Sequence, residues 1–183
     1  MWVRAILLAA CLFATLCWIR FLLQAAKLPH SHPLLRLCRR ATDFLVEPLR
    51  RVVPPLHRWD GACLLAAAAV DYTACTALLW LNNETLFSGG KGFAVAWLFA
   101  VLAFSEAAAY ALLCCLLLHA LRQTENDALT DSLNRICRPI CLPFSGLRLP
   151  RKLSALPPSV LLWLWLTQAL PALTGRLNLW LIW

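Results

Sequence analysis

Apolar residues in this chain fall into four long, nearly unbroken runs, separated by stretches where arginine and proline gather. The first run extends from about Val3 to Leu28, the second from about Gly61 to Leu81 and the third from about Phe93 to Leu121. A fourth begins after Pro157 and Pro158 and reaches about residue 175. A hydrocarbon layer of about 30 Å is crossed by about 20 helical residues, and a helix satisfies its backbone donors and acceptors without water. Each run therefore predicts a transmembrane helix. Pro171, which lacks an N–H and crowds the preceding turn, is expected to kink or end the fourth.

Composition agrees with lipid as the solvent. Of 183 residues, 61% are hydrophobic and only 14% charged, more apolar surface than a globule of this size can hide. The first run is not expected to be a cleaved signal segment: cleavage before Cys11 would leave only Ala5 to Leu8 as its apolar part, and the run continues far past Cys11. The nine cysteines lie mostly within apolar runs and form no C-x-x-C pair, so they are expected to act as small hydrophobes rather than as a metal or redox centre.

A net charge of +8 would suit a nucleic-acid binder, but the positions of the basic residues argue against one. Lys27, Arg36, Arg39, Arg40, Arg50, Arg51 and Arg58 lie between runs one and two; Arg122, Arg135, Arg138, Arg148, Arg151 and Lys152 lie between runs three and four. The other side has only Arg4, Lys91 and Arg176. Positive loops stay inside, which predicts a bacterial inner-membrane protein with two cytoplasmic loops and both termini periplasmic. Trp2, Trp80, Trp97, Trp180 and Trp183 then fall near the outer boundary and Trp59 near the inner one, where indoles collect.

The first loop carries its own helical pattern. Ser31 and Pro33 suit a helix start, and Leu34, Leu37, Cys38, Ala41, Phe44 and Leu45 recur at helical spacing. Arg36, Arg39, Arg40, Asp43 and Glu47 occupy the other side, a basic amphipathic helix expected to end at Pro48 and to lie among anionic headgroups. In the second loop, Thr124 with Asp127 suggests a capping box, followed by Leu129, Leu133, Ile136 and Cys137. Thr42-Asp43-Phe44-Leu45 is echoed by Thr130-Asp131-Ser132-Leu133. The chain thus divides into two parallel two-helix repeats, 1–92 and 93–183, giving an all-α membrane protein of four spans with cytoplasmic amphipathic segments.

Ile19-Arg20-Phe21-Leu22-Leu23-Gln24, then Ser31-His32-Pro33, Thr42, Pro48-Leu49-Arg50-Arg51-Val52-Val53-Pro54 and Asp60, follow one another in an order that resembles the YggT family. The second half fits less well: Ser145 and Gly146 stand where the family has its arginine pair, and no Asp precedes Ser159. In the first half, Phe44 stands where a proline is common. The resemblance implies a small inner-membrane protein without established chemistry, linked loosely to osmotic stress and ion homeostasis. It also implies a kinship with proteins of photosynthetic lineages linked to cytochrome b6 haem attachment and to nucleoid or thylakoid organisation.

Asp71 and Glu106, roughly 16 and 20 Å below the outer turn at 1.5 Å per residue, are charged types at a depth where charge is costly. They are expected to pair or share a proton, with an ion path as the sharper reading. Arg20 would neutralise one of them or snorkel to headgroups. Asp60 is expected to cap the second span. His30, His32, His57 and His119 lie near the inner boundary and form no metal set, and no catalytic or phosphate-cradling motif occurs. The expected function is therefore a non-enzymatic scaffold or assembly and stress factor without cofactor or metal. Arg50 and Arg51, held between Pro48 and Pro54, would contact anionic lipid, membrane-protein partners or a homo-oligomer, with Arg36, Arg39 and Arg40 beside them; nucleic acid is not a partner. An oligomeric transporter or channel component is the second reading.

Overall fold

The structure, a computed structural model, describes residues 2–29, 31–53, 60–82, 91–122, 127–144 and 156–182. Its helices are α1 (Trp2–Ala25), α2 (Pro33–Val52), α3 (Gly61–Asn82), α4 (Lys91–Leu121) and α5 (Ala128–Cys141), the last running into a 3-10 turn at Leu142–Phe144. Then come α6 (Leu156–Leu164), a π-helical turn (Trp165–Ala169) and α7 (Leu170–Ile182). Among the described residues there is no strand, and four stretches are long and apolar enough to cross a membrane: Arg4–Ala25, Gly61–Leu81, Lys91–Leu121 and Leu156–Leu177.

α1, α3 and α4 form a three-helix bundle whose centre is built from small residues. Ala14 and Cys17 meet Ala62, Cys63, Ala66, Ala67 and Ala107, all fully buried. Lipid gives helices no hydrophobic reason to associate, so close approach of small side chains, and the dispersion it allows, takes over that role. Trp18 fills the larger gap, its ring centroid 5.1 Å from Phe104 and 5.8 Å from Phe21.

α1 ends in a double turn. Leu28 N–H donates to the carbonyl of Leu23 and Lys27 N–H to that of Gln24, at 3.1 and 3.0 Å, with Lys27 in the left-handed region at φ 64°. This is the Schellman pattern, and its customary apolar clasp is present: Leu23 and Leu28 are buried together with Leu35, Cys115, Leu129 and Leu133. The cluster joins the C-terminal ends of α1 and α4 to α2 and α5. Arg135 adds a bond from Nη1 to the Ala26 carbonyl at 3.3 Å.

α2 starts one residue later than the Ser31 pattern suggests. His32 is the N-cap, its Nδ1 accepting from Leu34 N–H, and Pro33 occupies the first helical position. The helix does not stop at Pro48 but continues to Val52. Pro48 faces outward, where its ring meets no neighbouring helix and the carbonyl it leaves unbonded is not enclosed. α5 begins at Ala128 with Asp127 as N-cap and no side-chain capping bond, so the described part of the expected capping box is not formed; Thr124 lies outside the described residues.

The fourth span neither stops nor breaks at Pro171. The π turn precedes it, and Leu170 N–H reaches back five residues to the Trp165 carbonyl. Widening the turn re-pairs backbone that a proline would otherwise strip, a tolerance that membrane helices exploit.

Candidate functional site

α2 has three sides rather than two. Leu35, Cys38, Thr42 and Val46 are buried, Val46 in the core of α1 and α3 and Leu35 in the cluster with α1, α4 and α5. Leu34, Leu37, Ala41, Phe44 and Pro48, at spacings of three and four, form a continuous exposed apolar stripe. Arg36, Arg40, Glu47 and Arg51 are exposed on the third side, with Arg39 half-buried beside them. The single apolar face expected from the sequence is therefore divided: Cys38 turns inward while Leu34, Leu37, Ala41 and Phe44 stay outside. Phe44 is 71% exposed, yet its ring lies 5.5 Å from that of Phe13 on the lipid-crossing α1.

Two charge pairs fix this helix. Arg20 of α1 is fully buried, and its Nη1 donates to Thr42 Oγ1 at 2.6 Å and stands 2.8 Å from Asp43 Oδ1. The contact with Asp43 is a pairing of charges rather than a directed hydrogen bond, since that oxygen counts among the buried acceptors lacking one. Thr42 in turn donates to the Cys38 carbonyl at 2.8 Å, so its hydroxyl is held with a lone pair toward the guanidinium. Arg20 thus neither neutralises Asp71 or Glu106 nor snorkels; a carboxylate at its own depth, on the neighbouring helix, is nearer than either.

The second pair closes the other end of α2. Arg50 binds Asp60 through Nη2 to Oδ2, and its Nε is 3.5 Å from Oδ1. Asp60 is buried and Arg50 about a third exposed. Hydrogen bonding to Asp60 raises the already high Arg50 pKa, so the guanidinium stays charged. The Asp60 carboxylate binds Arg50 and is also within hydrogen-bonding reach of the Cys63 thiol in the first turn of α3, while its backbone carbonyl accepts Cys63 N–H. Arg50 and Arg51 therefore separate in role: Arg50 is an internal tie and Arg51 is exposed, with no ion pair among the described residues. Pro54 lies outside the described residues.

Asp71 is buried, and Glu106 is half-buried on the adjoining α4. The two are close enough to interact electrostatically, and Cys11 of α1 feels both. Glu106 is within hydrogen-bonding reach of Tyr110 one turn on, whereas Asp71 Oδ2 meets no donor among the described residues. Deep inside the three-helix bundle, this is the charged cluster that α2 does not touch.

No metal set is assembled among the described residues, and all nine cysteines are free. Burial pushes the Cys38 thiol up, and Cys137 to about 12, so both behave as neutral packing groups. Thr130, which opens the sequence echo of Thr42-Asp43, has a buried hydroxyl that meets no partner among the described residues. The arginine tie belongs to the first half.

No curated protein and no solved structure matches the chain. The family description CCB3/YggT does match, over residues 1–81, which hold both charge pairs and the three-sided helix between them. Over α1, α2 and all but the last residue of α3, this multi-pass membrane chain is similar to the CCB3/YggT family.

Proposed function

We propose that this protein is a non-enzymatic scaffold of the bacterial inner membrane that presents α2 in the headgroup plane as a fixed docking bar for anionic lipid and membrane-protein partners. The observation that carries the reading is the division of α2 into three sides about a third of a turn apart. One grips the bundle, one is apolar and uncovered, and one is basic. Only a boundary between hydrocarbon and water satisfies the last two together. Sinking Leu34, Leu37 and Phe44 into acyl chains contributes about 1.5 to 3 kcal/mol for each fully buried side chain. Arg36, Arg40 and Arg51 add about 1 kcal/mol each near an anionic leaflet. The basic side faces the cytoplasm and the termini the periplasm, as the distribution of lysine and arginine favours. A part in assembly or stress response follows from what such a bar can do, which is to hold partners at a set depth.

The test places a photo-activatable residue at Phe44 or at Glu47 of the full chain in vesicles containing phosphatidylglycerol. Position 44 should give lipid adducts and position 47 should not. Equal yields at both positions would refute the headgroup-plane placement. In cells, replacing Arg36, Arg40 and Arg51 together by Gln should reduce partner crosslinking while insertion and orientation stay normal; a change in orientation alone would reduce these arginines to topology signals.

A second reading, an oligomeric transporter or channel component in ion balance, is favoured by Asp71 facing Glu106 with an unpartnered oxygen at mid-membrane. It requires ion flux through reconstituted protein that falls in both Asp71→Asn and Glu106→Gln. Flux unchanged in the two variants removes it.

A further inference from the structure

The span Leu156–Leu177 is the least buried of the four, resting on the bundle through one side only. Leu162 and Leu170 mark that side. On the opposite side, Leu164, Gln168 and Ala172 follow one another four residues apart, and all three are exposed. Gln168 lies within the π turn, in line with its neighbours one turn before and one turn after. Gly175, one turn on, is also exposed, and a Cβ built there would meet nothing within 4 Å.

Gln168 sits twelve residues from the start of this span and nine from its end, roughly 18 Å and 14 Å at 1.5 Å per residue, which is the middle of the hydrocarbon. No described residue gives its amide a hydrogen bond. Thr167, the adjacent polar residue, resolves the same problem internally by donating to the Trp163 carbonyl at 2.8 Å. The Gln168 side chain has two N–H donors and an acceptor oxygen, and none can be satisfied by acyl chains. A side chain of that kind facing lipid calls for a polar group at the same depth on another helix.

We propose that a second copy of this chain supplies it: two copies pack through the Leu164–Gln168–Ala172 side, and the two Gln168 amides bond to each other across a two-fold axis along the membrane normal. Three features single out a like copy. Copies inserted with the same orientation bring the same residue to the same depth. An amide is both donor and acceptor, so it is complementary to itself, as a charged group is not. Ala172 and Gly175, just beyond the amide, let the two backbones approach closely enough for a side chain of this length to reach its counterpart.

The full chain, labelled through a terminal tag with donor or acceptor fluorophore, is reconstituted in phosphatidylcholine–phosphatidylglycerol vesicles, and energy transfer is followed as protein is diluted with lipid. The unmodified protein should associate. Gln168→Leu, better suited than the native residue to a lipid-facing position, should shift the dilution midpoint about tenfold toward the monomer, the effect of roughly 1.4 kcal/mol of interhelical hydrogen bonding. Gln168→Asn should keep most of the association, and Gly175→Leu should weaken it like Gln168→Leu. Two results overturn the proposal: a protein that is monomeric at every dilution, or a midpoint that Gln168→Leu leaves where it was.

Discussion

Arg20 offers the sharpest quantitative test of how the α2 helix is held. The side chain is completely buried, yet only Nη1 is engaged; Nε and Nη2 meet no acceptor among the described residues. Asp43, its charge partner, keeps 31% of its side chain exposed. Removing either partner breaks the same contact, but what remains differs. Asp43→Ala leaves a buried guanidinium with Thr42 alone, and an uncompensated buried charge costs about 3 kcal/mol or more. Arg20→Met loses a charged hydrogen bond to Thr42, worth about 1.5 to 3 kcal/mol, but relieves the desolvation of the guanidinium, and Asp43 can turn to water or headgroups. The second substitution should therefore cost at least about 1 kcal/mol less than the first, and the double variant should behave like Arg20→Met. Thermal unfolding of the full chain in lipid nanodiscs, followed by tryptophan fluorescence, ranks the three variants against the parent. Trypsin cleavage at Arg36 and Arg40 reports whether α2 has come loose. If Arg20→Met proves as damaging as Asp43→Ala, the cost of burying the guanidinium does not govern the tie, and this account of how α2 is held is wrong.

Lys27 holds a left-handed conformation that disfavours any residue with a Cβ, so Lys27→Gly should raise stability by about 0.5 to 1 kcal/mol; a lowered melting temperature would mean that its charge matters more than its backbone. Asp60→Ala should be more harmful than Arg50→Ala by about 1 kcal/mol, since the first strips Arg50 of its carboxylate while also emptying a buried position, whereas the second leaves a carboxylate close to the helix start; equal losses in the nanodisc assay would argue against this. Asp71→Leu should stabilise the bundle by about 1 kcal/mol or more, because Asp71 Oδ2 is buried without a donor; a loss of stability would reveal a partner that burial alone does not show.

The four spans are legible in the sequence because the bilayer sets a length that few soluble elements imitate, and Gly61, next to the buried Asp60, marks the start of the second to the residue. The helix of the first loop is legible from its period, but the division of its apolar residues is not. Periodicity finds residues that avoid water and does not say whether protein or lipid covers them, so Cys38 and Phe44 look alike until Val46 and Leu35 are seen to take the inner side. Arg20 stands out by type and depth, while the acids of the neighbouring spans draw attention away from its true partner. A signal is nonetheless present: Thr42-Asp43 lies on a helix returning to the same membrane boundary, and a buried guanidinium takes the nearest carboxylate rather than the most deeply placed one. Pro48 and Pro171 are residues expected to interrupt helices, and each is accommodated, one by facing outward and the other by a preceding π turn. Neither remedy leaves a mark on hydrophobic periodicity.

Both ties that hold α2 are short in sequence. Arg20 reaches a partner 22 residues on and Arg50 one 10 residues on, so neither needs anything beyond Asp60. The order of assembly follows from this. Once α3 has entered the lipid, α2 can lock while α4 and the later spans are still being made, because elements complete in themselves fold as they emerge. Later helices then join a platform in which α2 is already fixed against α1 and α3.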